Sequence, residues 1–388
     1  MAAVDEYPLV APDRRGTDSV KWGLARDGEI PMWVADMDFP VPPAVTEALR
    51  HRIEHPVFGY LKHPEELIDA FVQWQQRRHG SRIEAQQVET VPNTMGAIAL
   101  AVQTWTRPGD GVLVTPPVYF PFYSVVQKLG RRLVRAPLAA DHGRYQLDFD
   151  LIDDCAKDAK LMLLCSPHNP GGRVWQTDEL ERLIEIAARH KLRIVSDEIH
   201  AELVFPDTTF TSLCCMPGTS EHVVIQAPSK TFNVPGLPVA FAVIQDAKLR
   251  SEFASARAAR KLPEHNSLTV AAATAAYRDG DAWMDAVKSR IAANYAALKR
   301  HLSDLDGVRV FTMEGTYLAW LDFSERWAGS AASETFGRHM RDAGLWLSHG
   351  ELFGPEGATF MRLNFATDAA TLAEGCNRLS AGTHTFTP

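Results

Sequence analysis

The sequence predicts an α/β fold in which a mostly parallel sheet lies between helices and is accompanied by a smaller α+β domain. Two observations lead to this prediction. Short apolar runs alternate with helical segments up to about residue 285, and a different pattern follows beyond that point. The chain has 388 residues, of which 46% are hydrophobic. A chain of this length and composition can bury one large core and usually builds a second domain.

The strands of the predicted sheet are short, continuously apolar runs, which are typical of strands buried on both sheet faces. They lie at residues 112–114, 161–165, 192–195 and 223–225. Between the second and third runs, residues 177–191 predict an amphipathic helix with Thr177 as its N-cap and acidic residues in its first turn, Asp178 and Glu179. The apolar residues of this helix fall on one stripe: Leu180, Leu183, Ile184 and Ala187.

The C-terminal part of the chain has a different pattern. A long Ala-rich helix is predicted at 284–302, and strand-like runs follow at 308–311, 317–321 and 360–365 with another helix among them. The first forty residues carry few helical signals and are expected to pack as an arm. The predicted division is 1–45 for the N-terminal arm and part of the small domain, 46–285 for the large domain, and 286–388 for the small C-terminal domain.

Composition and charge narrow the possible partners and the location. The formal charge of −8 argues against a nucleic acid or an anionic membrane as partner. No apolar run reaches the roughly 18–20 residues that span a bilayer, and residues 1–8 contain no apolar signal core. An odd number of cysteines without Cys-x-x-Cys spacing indicates reduced thiols, so we expect a cytoplasmic protein. The five cysteines are Cys155, Cys165, Cys214, Cys215 and Cys376.

Polar segments follow apolar, strand-like runs at five places along the chain. In open α/β sheets the carboxyl ends of the strands share one edge, where ligands bind. We therefore expect the five segments to converge on one site, although each alone is also compatible with an ordinary loop. They are residues 93–96, 116–119, 166–172, 197–200 and 229–230.

Lys230 follows the apolar run at 223–225 within a small, polar, turn-forming segment. Partial desolvation lowers the pKa of an amine and frees its lone pair to condense with a carbonyl. Asp197, which follows the run at 192–195, is suited to hold a protonated pyridine nitrogen. A lysine and an aspartate in these roles are the minimal equipment of a pyridoxal 5′-phosphate (PLP) enzyme. The alternatives are a solvated surface lysine and an aspartate that caps a helix.

Three further positions each allow two interpretations, a role in binding a ligand and an ordinary structural role. Tyr119 is able to stack its ring on a planar cofactor, or it is a core aromatic. Gly96 and Ala97 open an apolar helix whose backbone N–H groups can approach a phosphate, although glycine starts many helices. Arg362 lies in an apolar strand, where its fork suits a substrate α-carboxylate; the alternative is a structural salt bridge.

Together these motifs resemble the fold type I PLP enzymes of the class I/II aminotransferase group, and within it the MalY/PatB branch of C–S lyases (cystathionine β-lyases). The resemblance runs from about residue 20 to the C-terminus. Its Asn-Pro-Gly and Ser-Lys elements mark the wider group, whereas the elements at 35–39, 58–60 and 196–200 are more particular to the lyase branch. The motifs lie at residues 33–39, 58–60, 117–119, 168–172, 196–200, 229–233 and 362–364.

The resemblance implies a seven-stranded sheet in a large PLP-binding domain, and a homodimer with shared active sites. Lys230 would be the Schiff-base lysine and would later move the Cα proton. Arg362 would bind the substrate carboxylate, with Asn169 and Ala35 also contacting the substrate; no metal is implied. The other cofactor-binding residues would be Asp197 at the pyridinium nitrogen, Asn169 and His200 near the ring hydroxyl, Tyr119 on the ring, Gly96, Ala97 and Ser229 at the phosphate, and Tyr60 from the partner subunit, also at the phosphate.

Two departures from the aspartate aminotransferase pattern concern the phosphate. Ala227 stands where those enzymes usually place a phosphate-binding serine, and residues 233–241 lack their phosphate-binding arginine. The lyase branch tolerates both differences, which therefore favour it.

The implied reaction is α,β-elimination of L-cystathionine or a related cysteine S-conjugate to a thiol, pyruvate and ammonia. The thiol from cystathionine is homocysteine, which would place the step in methionine biosynthesis. A thiolate is a tolerable leaving group near neutral pH, since the free thiol has a pKa of about 8.5. The nearest alternative is a PLP-dependent aminotransferase acting on an L-amino acid, which shares the removal of the Cα proton. A PLP-binding regulator is a further alternative, because a fold alone does not fix function.

A zinc hydrolase is a competing interpretation of residues 51–55, which fit the His-x-x-Glu-His pattern. The two histidines share a helix face but flank the apolar stripe, and Pro56 ends the helix at once. The pattern therefore favours a solvated helix end.

Overall fold

A computed structural model of the chain describes Tyr7 and residues 9–62, 64–262, 265–327 and 332–386. Of the predicted N-terminal arm, residues 1–6 and 8 lie outside the described residues. The helices are α1 (Val20–Gly23), α2 (Pro43–Glu54), α3 (Glu65–His79), α4 (Thr94–Trp105), α5 (Pro121–Lys128), α6 (Phe149–Ala156), α7 (Thr177–His190), α8 (Pro228–Thr231), α9 (Ala247–Ala259), α10 (Ser267–Asp279), α11 (Asp281–Leu302), α12 (Ala332–Asp342) and α13 (Ala369–Thr385).

The strands are short, with two to five residues each. They are β1 (Ile30–Pro31), β2 (Val88–Val91), β3 (Gly111–Val114), β4 (Arg132–Arg135), β5 (Ala139–Asp141), β6 (Arg144–Gln146), β7 (Leu161–Cys165), β8 (Arg193–Asp197), β9 (Val223–Gln226), β10 (Ala240–Val243), β11 (Arg309–Val310), β12 (Leu318–Asp322), β13 (Leu345–Trp346), β14 (Ser348–His349) and β15 (Phe360–Asn364).

The large sheet has seven strands in the order β2-β10-β9-β8-β7-β3-β4. Strand β10 is antiparallel to both of its neighbours, and the other pairs that involve β3, β4, β7, β8 and β9 are parallel. This sheet confirms the predicted fold class. Because β10 reverses the direction twice, β2 runs in the same direction as β9. The carboxyl ends of β2, β3, β7, β8 and β9 therefore lie at one edge, as the sequence predicted.

The ends of several predicted elements were wrong, among them those of β8, α7 and α4. Strand β8 extends to Asp197 and starts at Arg193, one residue later than expected. Helix α7 starts at Thr177, but Gln176 is its N-cap, because Gln176 and Glu179 exchange side-chain-to-backbone hydrogen bonds in a capping box. Helix α4 begins before Gly96, since the Asn93 side chain caps it by accepting a hydrogen bond from the Gly96 N–H at 2.7 Å.

A second, four-stranded antiparallel sheet has the order β11-β12-β15-β14 and forms the smaller α+β unit. The N-terminal arm joins this unit, because β1 pairs in parallel with β13. Helices α2 and α11 run continuously across the boundaries predicted at 45/46 and 285/286. The domain boundaries themselves stay predictions.

Arg173 fixes the loop after β7 against the segment that leads into β12. Its side chain is fully buried, and its guanidinium donates to both carboxylate oxygens of Glu179 at 2.7 Å and contacts the Glu314 carboxylate. The Val174 N–H also donates to Glu314, at 2.8 Å. A buried guanidinium with two carboxylates holds the large and small units together directly beside the 166–172 loop.

The loop after β8 is held by a buried ion pair between α3 and that loop. The His79 ring lies 2.7 Å from Glu202, which also accepts from the Trp74 indole at 2.6 Å. Burial alone would lower the pKa of His79, but the Glu202 carboxylate raises it above its ordinary value. Burial alone would raise the pKa of Glu202, but His79 lowers it.

We expect the variant His79→Gln to lose about 3 kcal/mol of unfolding free energy at mildly acidic pH, because it leaves a buried carboxylate without its charged partner. A raised His79 pKa gives stability that is complete below about pH 6.5 and is lost as pH rises through the folded pKa. A lowered Glu202 pKa gives stability that is present above about pH 4.5 and is lost on acidification. The difference from wild type should therefore be largest near pH 5–6.5 and smaller at pH 9, measured by urea unfolding.

The matched control for this pair is the double variant His79→Gln/Glu202→Gln, whose two neutral amides can still hydrogen-bond. It should recover part of the stability that His79→Gln loses. An equal loss for His79→Gln at pH 6 and pH 9 would contradict the assigned charge on His79.

Candidate active site

Asp197 lies at the centre of the carboxyl edge of the large sheet. It is the last residue of β8, where it is paired with Cys165 of β7 and Ile225 of β9. The side chain is buried, and its carboxylate accepts a hydrogen bond from the Ile199 N–H at 3.2 Å. Burial raises the pKa of Asp197 to about 7, and the nearby Glu198 adds to the increase. A buried carboxylate with so few donors has the capacity to accept a hydrogen bond from a cationic ring N–H.

Lys230 reaches the same edge from α8, a single turn that begins two residues after β9. Its amine donates a hydrogen bond to the Ala35 carbonyl of the N-terminal arm. Burial lowers the pKa of Lys230 to about 8; Arg362 also lowers it, whereas the Asp36 and Asp197 carboxylates act in the opposite sense. This is the partly desolvated environment that the sequence predicts for Lys230. A substantial fraction of neutral amine exists slightly above neutral pH, as a nucleophile or base requires.

Arg362 extends from the middle of β15 into the same space. Its guanidinium donates to the Asn169 side chain at 3.0 Å and to the Trp33 carbonyl at 2.8 Å, and it lies 4.8 Å from the centre of the Phe353 ring. Burial lowers the pKa of Arg362 to about 10, which leaves it charged. Among the described residues no carboxylate forms an ion pair with it, and its Nε–H has no partner. These neutral partners favour an anionic ligand over the alternative of a structural salt bridge.

Tyr119 and His200 complete the polar lining. Burial raises the pKa of the partly buried Tyr119, and Asp197 raises it further while Arg362 opposes the change, so both charges act on its hydroxyl. Burial lowers the pKa of His200 to about 3, with Lys230 and Arg362 contributing, which makes the imidazole neutral. The Nδ1 atom of buried His200 has no hydrogen-bond partner in the described part of the chain. Both side chains are thus close enough to Arg362 to be affected by its charge, and their cofactor-binding roles stay predictions.

At the predicted phosphate site, the backbone N–H groups already have hydrogen-bond partners within the protein. The N–H groups of Gly96 and Ala97 face the start of α4, but both already donate to Asn93, to its side chain at 2.7 Å and to its carbonyl at 3.0 Å. Ser229 lies in the first turn of α8. A phosphate at this place would share the Gly96 amide with Asn93 or displace the Asn93 side chain. The phosphate-binding roles of Gly96, Ala97 and Ser229 stay predictions.

Tyr60 does not reach the site of its own chain. It is fully exposed, in an extended segment after α2. Its predicted role at the cofactor of a partner subunit therefore concerns a contact outside this single chain.

The N-terminal arm crosses the site, and we name residues 33–39 the crossing segment. Its backbone carbonyls accept hydrogen bonds from side chains of the two folded units. Apart from those of Lys230 and Arg362, the bonds are Ser348 to Trp33 at 2.9 Å, Asn364 to Val34 and to Asp36 at 2.6 Å each, Tyr317 to Ala35 at 3.0 Å, and Asn233 to Met37 at 3.0 Å and to Phe39 at 2.8 Å.

Sequence reasoning missed Tyr317, Asn233 and Asn364 as residues that shape the site. A signal existed for Asn364, which follows Arg362 by two positions in a strand and so shares its face. Asn233 lies in the recognised 229–233 motif, and its φ of +56° is a conformation that asparagine adopts more readily than most residues. Tyr317 precedes an apolar strand and carries no comparable signal.

The residues present fit PLP. A buried Asp197 can pair with a pyridinium nitrogen, and Lys230 has the lowered pKa of an amine that condenses with an aldehyde. Among the described residues, three buried polar atoms around the site have no hydrogen-bond partner: Trp33 Nε1, His200 Nδ1 and Arg362 Nε. Such atoms are uncommon in native proteins and indicate a polar ligand.

The competing zinc pattern lies on the surface. His51 and Glu54 are exposed near the end of α2 and contact one another at 3.4 Å, and His55 follows the helix. Within the described part of the chain, no cluster of three or more His, Cys, Asp or Glu side chains has a geometry able to hold a metal ion. In the same residues, no helix has the length and apolar character needed to cross a membrane.

The chain is similar to known proteins over nearly its whole length. Cystathionine beta-lyase PatB of Bacillus subtilis (strain 168) is 37% identical over 381 residues, which cover 95% of this chain and 97% of PatB. Protein MalY of Escherichia coli (strain K12) is 29% identical, covering 94% and 95% of the two chains. The solved structure of cystalysin from Treponema denticola, which contains a pyridoxal 5′-phosphate cofactor, has a TM-score of 0.93 and 30% identity, covering 97% of this chain and 99% of cystalysin.

A family model described as aminotransferase class I and II matches residues 29–379. This match includes the sheet edge with Asp197, Lys230 and Arg362, and it confirms the family that the motifs predicted. The protein therefore belongs to the class I and II aminotransferase family.

Proposed function

We propose that this protein is a PLP-dependent C–S β-lyase that converts L-cystathionine or a related cysteine S-conjugate to a thiol, pyruvate and ammonia. One observation carries the proposal: the Lys230 amine, the buried Asp197 carboxylate and the Arg362 guanidinium converge at one sheet edge in a chain whose similar relatives are named cystathionine β-lyases. Among the described residues, no carboxylate forms an ion pair with Arg362. The predicted reaction class agrees with those relatives.

Arg362 binds and orients the substrate. The α-carboxylate accepts from the guanidinium, whose fork suits two parallel hydrogen bonds and whose Nε–H has no protein partner. Asn169, already bonded to Arg362 at 3.0 Å, keeps the guanidinium in place. With the carboxylate fixed, the Cα–H bond can be directed toward the Lys230 amine.

Lys230 moves the proton. Its burial-lowered pKa makes neutral amine available to remove the proton from Cα. Bound PLP supplies the electron sink for the electron pair left on Cα, and Asp197 keeps the ring nitrogen protonated. The lysine ammonium formed by proton removal can then protonate the departing sulfur, which leaves as the thiol. Water converts the remaining three-carbon fragment to pyruvate and ammonia.

An aminotransferase is the second candidate, and one finding favours keeping it. Arginine–pyruvate transaminase of Pseudomonas aeruginosa is 26% identical over 89% of this chain. Transfer of the amino group uses the same Lys230, Asp197 and Arg362 up to and including removal of the Cα proton. The two reactions then differ in the atom that receives this proton.

The test is pyruvate and thiol release from L-cystathionine by purified, PLP-loaded protein without added keto acid. We expect equal amounts of both products over many turnovers. Amino transfer that appears only when a keto acid is supplied would instead assign the chain to the aminotransferases. A turnover rate no higher than that of free PLP would favour the alternative that the protein is a PLP-binding regulator.

A homodimer with shared sites is part of the proposal. Apolar side chains are exposed together around the end of α2, including Ile53 at 56%, Val57 at 63% and Phe58 at 56%, beside the fully exposed Tyr60. A cluster of this kind is suited to a contact with a second chain that places Tyr60 at the partner's cofactor. Sedimentation velocity should give a dimer; a monomer with full activity would exclude the shared site.

We also propose a cytoplasmic location, since all five cysteines are free thiols. Cell fractionation tests this location directly, and recovery in a secreted fraction would contradict it.

A further inference from the structure

A cluster of four charged side chains holds the crossing segment beside Lys230. Arg14 forms ion pairs with Asp36 at 2.7 Å and with Asp38 at 2.8 Å. Lys21, which is almost completely buried, lies 2.9 Å from Asp38 and 3.9 Å from Asp36. The proposed mechanism gives this cluster no role.

The two carboxylates of the cluster differ in what they face. Asp36 follows Ala35, whose carbonyl accepts from the Lys230 amine. Asp36 and Lys230 line one cleft of about 660 Å³, which Asp38 also borders. The backbone of Asp36 is fixed as well, because its carbonyl accepts from the Asn364 side chain at 2.6 Å and from Lys21 at 3.3 Å. The Asp36 carboxylate is therefore held near the amine.

Asp38 instead is enclosed by the arm. Its carboxylate is 2% exposed and accepts from the Trp22 indole at 2.8 Å in addition to its two cations. Among charged groups, Asp36, Arg362 and Asp197 act most on the pKa of Lys230.

We propose that Asp36 is a positioning residue for the reaction: it is held by Arg14 and Lys21 so that its negative charge stands beside the Lys230 amine and favours the protonated amine. This inference rests on the proposed function for its catalytic meaning. The other groups that face Lys230 are Asp197, Arg362 and the neutral His200.

The balance of these charges changes when ligands bind. A substrate carboxylate neutralises Arg362, and a pyridinium nitrogen neutralises Asp197. Asp36, although paired with Arg14 at 2.7 Å, then remains as the carboxylate beside the amine that neither ligand neutralises. It thereby stabilises the ammonium that Lys230 becomes after taking the Cα proton, which is the form able to protonate the departing sulfur.

The test compares Asp36→Asn with the matched control Asp38→Asn, because both variants remove a carboxylate from Arg14 and Lys21 but only the first faces Lys230. The primary readout uses the full chain without cofactor: the pH dependence of Lys230 acylation by acetic anhydride, followed by peptide mass spectrometry. We expect Asp36→Asn to lower the midpoint by about 0.5–1 pH unit. Asp38→Asn should leave the midpoint within about 0.2 unit while lowering the melting temperature.

The variant Asp36→Glu keeps the charge and should return the midpoint toward that of wild type. If Asp36→Asn fails to fold, Asp36→Ser provides the same neutral substitution with a smaller side chain. A shift in both the Asp36 and the Asp38 variants, or in neither, would overturn the inference, because the cluster would then act only by docking the arm.

A second readout in the PLP-loaded enzyme is the acidic limb of the pH profile of kcat/KM, which should move to lower pH in Asp36→Asn alone. The acylation measurement requires neither cofactor nor turnover. A preserved acylation shift in a protein that releases no pyruvate would therefore reject the proposed function and leave the role of Asp36 intact.

Discussion

Replacing Lys230 with alanine is expected to slow pyruvate release from L-cystathionine by about a thousandfold or more, because it removes the amine that is positioned for the Cα proton. The change should cost little stability. Lys230 is half-buried, and the Ala35 carbonyl that accepts from it keeps its hydrogen bond from Tyr317 at 3.0 Å. Single-turnover kinetics on PLP-loaded protein measure the proton-transfer step without interference from product release.

The matched control is Lys288→Ala. Lys288 is also a half-buried lysine whose pKa is lowered by burial, but it lies on α11 near Arg78 and Glu202, away from the site. Wild-type pyruvate release is expected for this variant. Lys230→Ala enzyme with wild-type turnover would reject the role of Lys230, and an equal loss in Lys288→Ala would indicate general destabilisation.

Arg362→Lys is expected to lower kcat/KM for L-cystathionine by about a hundredfold or more. Lysine keeps the positive charge but lacks the planar fork, so two charge-assisted hydrogen bonds to the substrate carboxylate cannot form together. It also leaves the Asn169 side chain and the Trp33 carbonyl without the donors that they have at 3.0 and 2.8 Å. Steady-state kinetics across a range of substrate concentrations measure the effect.

A substrate analogue distinguishes the role of Arg362 in binding the substrate carboxylate from its role in holding neighbouring residues in place. With the α-carboxamide of the same cysteine S-conjugate, wild type and Arg362→Lys should be nearly equally slow, since neither can form the carboxylate pair. A hundredfold difference that persists with the carboxamide would mean that Arg362 acts by holding the Trp33 and Asn169 contacts.

The sequence by itself predicted which polar groups meet at the edge of the large sheet. Lys230, Asp197 and the 166–172 loop each follow a short apolar run, and the carboxyl ends of parallel strands must share one edge. This local reasoning needs only strand order and direction. It failed at element ends such as the N-cap of α7, because Gln176 and Thr177 both suit a helix start and the capping box with Glu179 decides between them.

Only the tertiary structure decided how the crossing segment meets the site. The contacts of Lys230 with Ala35 and of Arg362 with Trp33 join residues 195 and 329 positions apart. Their acceptors are backbone carbonyls, which every residue type offers equally, so no residue pattern marks them. The different burial of the Asp36 and Asp38 carboxylates, which share Arg14 and Lys21, likewise depends on how the arm packs around them. Periodicity predicts burial only within regular helices and strands, and residues 33–39 form neither.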